Sequence, residues 1–351
     1  MDDSRSLAYN LIDNNSHYHQ EGPIMFKCIK LSLCIAAVLL VAVLAGCGGG
    51  GGDSKTSGST GSSSNPAPAV KEEPRTIKHA KGETKVPASP QKIALINDNA
   101  FEDNMLAMGV KPYIGSTFAW SEKKFYPHIA DELQGVHGMD GQAPNLEQLS
   151  EWKPDLIIIS GQNEKFYDQL SKIAPTVQVA FNADWRVTHM QLAEIVGKTK
   201  EAEKNLQDYD KKLAEIKSEV QKAIGQQSVM VTVINEKTIR IQGATGHALN
   251  DLLYKDLGLA PAKGIPAENR VEVSLEGMST FNPDHIFMQR NRFSTIEQVV
   301  KNVQDSNVWK NISAVKQGNV YNVDNWLAMS WGPKGRSMIL DQIKKDLTAK
   351  K

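Results

Sequence analysis

Residues 200–225 read KEAEKNLQDYDKKLAEIKSEVQKAIG, and this stretch decides the fold. Its apolar side chains recur at steps of three and four residues, which aligns them in one stripe along a helix whose other faces carry Lys and Glu. The stripe consists of Leu206, Tyr209, Leu213, Ile216, Val220 and Ile224. Thr199 is the predicted N-cap and Gly225 the predicted C-terminal stop. At about 1.5 Å per residue the helix would span roughly 37 Å, enough to cross a small domain.

Two similar phrases flank this helix. NLEQLSEWKPDLIII (145–159) precedes it, and SLEGMSTFNPDHIFM (274–288) follows it. In both, Leu-Glu is followed at the same spacing by Pro-Asp and then by an apolar run. The midpoint between Glu147 and Glu276 falls near the centre of the helix. The repeat therefore predicts an α/β protein with two similar lobes joined by one long, rigid helix.

Each predicted lobe alternates strand-like and helical segments. The strand-like runs are 93–96, 113–114, 156–159 and 177–180 in the first lobe, and 229–234, 238–242, 285–288 and 320–323 in the second. Such alternation is typical of mainly parallel sheets with helices on both faces. Ligands of these sheets bind beyond the carboxyl ends of the strands, so we expect the functional site in the cleft between the lobes.

The segment 25–46 has the organisation of a secretory signal. Lys27 and Lys30 supply a basic start, and the uncharged run that follows is shorter than the roughly 20 residues that a membrane span needs. The signal ends in Leu-Ala-Gly followed by Cys47, which resembles the lipobox of bacterial lipoproteins. That resemblance implies that Cys47 becomes the lipidated first residue of the mature chain.

The first 24 residues are too polar and too long to precede such a signal. We therefore expect translation to start at Met25, so that residues 1–24 are untranslated or a misassigned start. Cys28 and Cys34 would leave with the signal, and the mature chain would keep only Cys47. A disulfide or a cysteine-based metal site is then excluded.

Composition divides the rest of the chain. Residues 47–73 hold the lipidated cysteine and a Gly/Ser-rich tract, which behaves as a flexible tether with a reach of roughly 28 Å. We expect an N-terminal lobe at 74–185, a connecting helix at 186–225 and a C-terminal lobe at 226–351. Without residues 1–46 the chain carries 37 basic and 36 acidic side chains, a balance that does not favour nucleic-acid binding.

Catalytic motifs are missing from the sequence. There is no nucleophile elbow, no phosphate-binding loop, no dinucleotide fingerprint and no zinc-protease motif. The histidines of the mature chain are scattered, which argues against a protein zinc site and favours surface or structural roles. An extracytoplasmic enzyme without a recognised motif is therefore an alternative of another class.

The lipobox, the tether, the long helix and the paired phrases together resemble the substrate-binding lipoproteins of iron-siderophore and vitamin B12 ABC importers in Gram-positive bacteria. The resemblance covers residues 25–346 and includes SNVWKNISAVKQGNVYNVD (306–324) and WRVTHMQLAEIVGKTKEAEKNL (185–206). It implies a class III substrate-binding protein: a monomeric, non-enzymatic receptor on the outer face of the cell membrane, serving a dimeric permease. It also implies that Glu147 and Glu276 meet arginines of the permease. Two solvated glutamates that favour a helix dipole are the alternative.

A ferric siderophore implies a site without protein metal ligands, because the siderophore already surrounds its iron with oxygen. Anionic catecholates would need several Arg or Lys, whereas hydroxamates, closer to neutral, would need aromatic walls and one or two Arg. The candidate ligand-binding residues are Trp120, Trp185, Arg186, Arg240, Gln242, Arg270, Arg290, Arg292 and Trp326. Trp331, like Trp120 and Trp326, lies in a predicted loop. Each arginine could instead be a surface charge and each tryptophan a core residue. The set mixes both kinds, so the siderophore class stays open.

Two rival ligands have their own requirements. Haem needs an axial ligand across the cleft, for which Met139 and His247 are candidates. Cobalamin would be recognised by its spectrum.

Overall fold

The computed structural model describes residues 73–97, 101–117, 124–180, 182, 184–235, 238–290 and 297–349, and only the backbone of Arg290 and Gln298. Cys47, Trp120, Arg292, the predicted signal and nearly all of the predicted tether lie outside these ranges. Two large sheets, one in each half of the described chain, confirm the predicted α/β fold with two similar lobes. Among the helices in the described ranges, none combines the length and apolar character needed to cross a membrane.

The first lobe is built on a fully parallel five-stranded sheet. In chain order its strands are β3 (Ile93–Ile96), β4 (Ile114–Thr117), β5 (His137–Asp140), β6 (Leu156–Ser160) and β7 (Thr176–Val179), preceded by a hairpin of β1 (Arg75–His79) and β2 (Gly82–Val86). The spatial order is β5-β4-β3-β6-β7. The helices are α1 (Phe101–Ala107), α2 (Leu146–Trp152) and α3 (Tyr167–Leu170), the last preceded by a 3₁₀ turn, Gly161–Phe166. Strands β3 and β6 are almost wholly apolar because helices or loops cover both faces of the sheet.

The predicted connecting segment, residues 186–225, forms two helices. Helix α4 (Trp185–Val196) ends at Gly197, whose φ of 73° lies in the left-handed region that suits glycine. Helix α5 (Thr199–Ile224) follows and ends at Gly225, as predicted. Its N-cap position is held by Lys198, so Thr199 is the first helical residue rather than the cap. All six apolar residues of the predicted stripe pack in one core cluster.

The second lobe begins directly after α5. Its elements are β8 (Ser228–Ile234), β9 (Ile239–Gln242), α6 (Ala248–Asn250), a π-helical turn (Asp251–Asp256), β10 (Ala260–Pro261), β11 (Arg270–Val273), α7 (Leu275–Met278), β12 (His285–Arg290), α8 (Glu297–Asp305), α9 (Asn307–Asn311), α10 (Ser313–Lys316), β13 (Val320–Val323), α11 (Trp326–Met329) and α12 (Pro333–Thr348). The main path of the sheet is β11-β9-β8-β12-β13, and β10 pairs with β8 off this path. Helix α12 packs along α5, so the last helix of the chain also contacts the central one.

One strand is the exception within the predicted, mainly parallel arrangement of the second sheet. Strand β9 pairs antiparallel with both β8 and β11, while β8, β12 and β13 are parallel. Only residues 235–238 separate β8 from β9, and a parallel connection needs a dozen residues or more. The N–H of Asn235 donates to the carbonyl of Thr238 at 3.0 Å, which closes this connection.

The repeated Pro-Asp phrases have one structural role in both lobes. The carboxylate of Asp155 accepts the backbone N–H groups of Gln91 and Lys92 at 2.7 and 2.9 Å, just before β3. Asp284 accepts the backbone N–H and the hydroxyl of Ser228, both at 2.8 Å, at the start of β8. In each lobe the repeated aspartate therefore lies just before one strand and fixes the start of the central strand beside it.

Candidate functional site

Strands β9 and β11 bring together three of the predicted ligand-binding residues. Arg270 lies directly opposite Gln242 in the antiparallel ladder, and Glu272 lies opposite Arg240. Directly opposite residues share a face, and Arg240 and Gln242 are two positions apart on one strand, so all four side chains project from the same face. The intervening residues, including Ile241, pack in a core cluster on the other face. The strand alternation thus creates a polar face at one edge of the sheet.

An acidic residue accompanies these basic groups. Arg240 is 6% exposed and donates from Nε to Oε1 of Glu272 at 2.9 Å. The carboxylate offsets part of the positive charge that two arginines would give this face. A ligand reaching Arg240 therefore meets a paired guanidinium.

His247 and Trp331 complete this cluster. His247 is the N-cap of α6, and its Nδ1 accepts the backbone N–H of Leu249 at 3.1 Å. Burial, followed by the nearby charges of Arg270 and Arg240, lowers the pKa of His247 to about 3, so the imidazole is neutral at physiological pH. The Trp331 ring meets it edge to face at 5.1 Å. The polar cluster consists of Arg240, Gln242, His247, Arg270, Glu272 and Trp331.

Three members of the polar cluster, His247, Glu272 and Trp331, are not in the predicted ligand-binding set. The sequence marks His247 only as a candidate haem ligand and Trp331 only as one of three loop tryptophans, and it gives no reason to single out Glu272. The available signal was the WGPKG phrase at 331–335: an aromatic residue followed by Gly and then by Pro at a helix start indicates a tight entry turn. That signal locates the turn but does not reveal its neighbours.

The structure places Trp185 and Trp326 in the core. Each is 2% exposed, and both belong to the cluster that packs beneath α5 and α12. Trp185 lies edge to face on Tyr209 at 5.0 Å, and Trp326 packs on Phe287 at 4.8 Å. Neither ring offers a surface to a ligand in this conformation.

Among the remaining candidate arginines, only Arg186 has a side chain that the structure describes. Arg186, on α4, donates to Asp210 at 2.9 Å and lies 3.7 Å from Asp256, with its guanidinium over the rings of Trp185 and Tyr209. Arg290 is the last residue of β12, opposite Ile234 of β8, so its backbone is at the carboxyl end of the sheet. The structure thus gathers Arg240, Gln242 and Arg270 but engages Arg186 elsewhere.

The carboxyl ends of β3 and β4 carry a buried polar network in the first lobe. Glu102 is 3% exposed, and its Oε1 accepts the N–H of Ser116 at 2.6 Å and Nδ2 of Asn97 at 3.0 Å. Burial raises the pKa of Glu102 to about 7, although these hydrogen bonds act in the opposite direction. Sequence reasoning missed this group, because an acidic residue in a first helical turn ordinarily indicates a solvated side chain.

Glu147 and Glu276 occupy equivalent, exposed positions. Each is the second residue of a short helix, α2 or α7, whose N-cap side chain is Asn145 or Ser274. Asn145 accepts the N–H of Gln148 at 3.1 Å, and Ser274 accepts that of Gly277 at 3.2 Å. Hydrogen bonds from its own backbone and from Ser274 lower the pKa of Glu276. The two lobes thus present two anionic side chains in the same local setting.

The candidate haem ligands are occupied in other ways. Met139 is 2% exposed in the core of the first lobe, and its sulfur accepts the N–H of Asn145 at 3.2 Å. His247 is bound within the polar cluster of the second lobe. Within the described ranges, no group of three or more His, Cys, Asp or Glu side chains could hold a metal ion.

Comparisons with known proteins agree on one family. The model described as "Periplasmic binding protein" matches residues 106–327. The putative ABC transporter substrate-binding lipoprotein YhfQ of Bacillus subtilis (strain 168) is 29% identical over 341 residues, 92% of this chain and 100% of that protein. The iron(3+)-hydroxamate-binding protein FhuD of the same organism is 29% identical over 305 residues, 84% and 90% of the two chains.

A solved structure has the same fold along most of the chain. It is the triscatecholate siderophore binding protein FeuA from Bacillus subtilis, complexed with ferri-bacillibactin. The TM-score is 0.65 at 27% identity, and the match covers 78% of this chain and 98% of that one.

Proposed function

Because a periplasmic binding protein model matches more than half of it, the chain belongs to that family, and we propose that it is an extracytoplasmic receptor which binds a ferric siderophore between its lobes and delivers it to an ABC importer. The family resemblance predicted from the sequence is confirmed. Proteins of this family are substrate receptors, so the chain is a binding protein and not an enzyme.

The polar cluster is the observation that carries the proposal. It combines two arginines, an amide and an aromatic ring at one edge of the second lobe's sheet. Guanidinium and amide groups bind the oxygen atoms of an iron chelate, and an aromatic ring packs on its organic part. A ligand with a complete oxygen shell needs no metal ligand from the protein.

The proposed ligand class includes both hydroxamates and catecholates. FhuD is named for iron(3+)-hydroxamate binding, and FeuA for binding a triscatecholate siderophore, at nearly equal identity to this chain. The Arg240–Glu272 pair lowers the net positive charge of the polar cluster. Charge complementarity therefore favours ligands closer to neutral, which places hydroxamates first.

Attachment and delivery are part of the same proposal. We propose that Cys47 carries a lipid that holds the monomeric protein at the outer face of the cell membrane, with residues 48–73 as its tether. The naming of YhfQ as a lipoprotein supports this assignment. Glu147 and Glu276 are the proposed contacts with a dimeric permease. Membrane fractionation tests the anchor, because Cys47→Ala should release the protein while leaving its fold intact.

Fluorescence titration of the purified protein tests the ligand. We expect quenching by at least one ferric hydroxamate or ferric catecholate, and a weaker response to the same chelators without iron. A Soret band on adding haemin would assign the protein to haem instead, and a bound cobalamin spectrum would assign it to vitamin B12. The absence of quenching by every ferric siderophore tested would contradict the proposed function.

A further inference from the structure

The last helix of the chain is capped by a side chain from the other lobe. Helix α12 begins with Gly332 at its N-cap, which has no side chain to accept a hydrogen bond, and with Pro333, which has no N–H to donate. The next two N–H groups, of Lys334 and Gly335, donate to Oδ1 and Oδ2 of Asp103 at 2.9 and 2.8 Å. Asp103 belongs to α1 of the first lobe and is fully buried.

The residue next to Asp103 holds the same turn. Asn104 donates from Nδ2 to the carbonyl oxygen of Trp331 at 3.1 Å, and its Oδ1 lies 3.0 Å from Nδ1 of His189 on α4. Burial lowers the pKa of His189 to about 4, so the ring is neutral and donates from Nδ1 to the amide oxygen. Asn104 is thus oriented by α4 toward Trp331.

The glycine at the N-cap fits this arrangement. A Cβ atom added at Gly332 would lie 2.2 Å from Oδ1 of Asp103, so only glycine leaves room for the carboxylate. His128 also lies 3.0 Å from Oδ2 of Asp103, and Lys334 pairs with Glu132 at 3.1 Å, both from the first lobe. Residues of the first lobe therefore enclose the start of α12.

We propose that Asp103 and Asn104 are positioning residues of the ligand site: from the first lobe, they fix the Trp331–Gly335 turn and so hold the Trp331 ring against His247 in the polar cluster. The inference rests on the proposed function in taking the polar cluster as part of that site. Without these contacts the turn would adopt more conformations, and the entropy lost in ordering it on binding would weaken the affinity for the ligand. The contacts also couple ligand binding to the relative orientation of the lobes.

Exchanging two residues separates positioning from stability. Asp103→Gly removes the cap, and Asp103→Gly with Gly332→Asp moves a carboxylate to the N-cap of α12 itself. The φ and ψ of Gly332, −141° and 158°, are those of an ordinary N-cap, so aspartate fits there once Asp103 is gone. The double variant restores a helix cap within the second lobe but not the link between lobes.

The measurements are the thermal midpoint and the affinities for ferric desferrioxamine B and ferri-bacillibactin. Asp103→Gly should lower the midpoint and weaken binding about fivefold or more, the lower end of typical coupling between sites. The double variant should recover most of the midpoint while binding stays weak. Recovery of both together would show that Asp103 acts only on stability, and would overturn the proposal.

Asp155→Gly is the matched control. It also removes a carboxylate that accepts two backbone N–H groups, but both donors lie in the same lobe. We expect it to lower the midpoint without changing affinity. An equal loss of affinity in this variant would contradict a specific role for Asp103.

A ligand-free measurement keeps the inference separate from the proposed function. If the unmodified protein binds no ferric siderophore at all, the proposed function fails, and the distance between lobes then decides the inference. Spin labels at Glu151→Cys and Ser279→Cys, in a full chain with Cys28, Cys34 and Cys47 changed to Ser, report that distance. The double variant should broaden the distribution and Asp155→Gly should not. Equal distributions would overturn the proposal.

Discussion

At the scale of single residues, Glu102 is the most perturbed carboxyl at the cleft end of the first lobe. Its folded-state pKa of about 7 exceeds the ordinary value of 4.5 because the group is buried. The folded protein therefore binds this proton more tightly than the unfolded chain does. The resulting stabilisation is complete below about pH 4.5 and is lost as the pH rises toward 7.

Glu102→Gln should remove this pH dependence. The amide keeps an oxygen that accepts from Ser116 and Asn97 but has no proton to lose. Between pH 5 and pH 8, Glu102 should lower the unfolding free energy of the unmodified protein by roughly 2 to 3 kcal/mol. The variant lacks this contribution, so its unfolding free energy should fall less over the same range by about that amount. Urea unfolding at the two pH values measures the difference. The exposed Glu151→Gln is the control, and an identical pH dependence in Glu102→Gln would refute the assignment.

Residue type and position predicted part of the candidate site. Arg240, Gln242 and Arg270 converge because strand alternation fixes which side chains share a face, and that alternation is visible in the sequence. The alternation does not tell whether a tryptophan beside a strand end turns inward. Trp185 and Trp326 do so because the core between the sheet and α5 accommodates large rings.

At the scale of elements, α5 and α12 are joined by one buried polar group. Arg336 of α12 is fully buried and donates to Oη of Tyr209 at 3.0 Å, to Oδ2 of Asp256 at 2.7 Å and to two backbone carbonyls. Its guanidinium also lies over the rings of Trp185 and Tyr209. The two helices and the π-helical turn therefore share one cation.

Asp256→Asn should destabilise the protein by about 3 kcal/mol, because it leaves a buried guanidinium without its charged partner. Asp341→Asn is the matched control. Asp341 also joins α5 to α12, through Lys212 at 2.6 Å, but this pair is far more exposed and should contribute about 1 kcal/mol or less. Urea unfolding of both variants gives the comparison. Equal losses of unfolding free energy in the two variants would mean that leaving the buried Arg336 without its charged partner costs no more than breaking an exposed ion pair.

The sequence left details of the elements open where a local pattern carries no direction. The strand-like run 238–242 predicted the β9 strand but not its antiparallel direction, and the four-residue connection from β8 was the signal that could have shown that direction. Gly197 lay inside the predicted connecting segment, and its left-handed φ divides that segment into two helices. In both places a short turn overrides the longer periodic pattern.

At the scale of the whole molecule, the internal repeat predicted more than any single motif. Asp155 and Asp284 fix equivalent central strands, and Glu147 and Glu276 begin equivalent helices. Such equivalence follows from sequence spacing alone. The contact of Asp103 with α12 could not be predicted in this way, because it joins two segments that are not related by the sequence repeat.

Glu147→Arg together with Glu276→Arg should abolish iron uptake in cells while leaving siderophore affinity in solution unchanged. Two equivalent anionic side chains suit a permease that offers one basic pocket from each of two subunits, and interface charges of this kind set docking register and rate. Each single change should cause a partial loss. Uptake of radioactive iron and titration of the purified protein measure the two properties.

Glu151→Arg together with Glu268→Arg is the control for net charge, because both of these glutamates are exposed but lack the equivalent helix-start position. This variant should transport normally. Normal uptake in the Glu147 and Glu276 double variant would exclude these two residues as the docking pair.

The cap on α12 also determines when the fold can be completed. Asp103 and its backbone partners are separated by 231 and 232 residues, so the carboxylate is buried only after nearly the whole chain is available. Because a chain is synthesised from its N-terminus, α1 exists long before α12 and cannot make this contact until the last helix has been made. Closing so long a loop is entropically costly and slow. Docking of α12 is therefore a late step, and a nascent chain lacking it would leave Asp103 of α1 without these two backbone partners and open to chaperones and proteases.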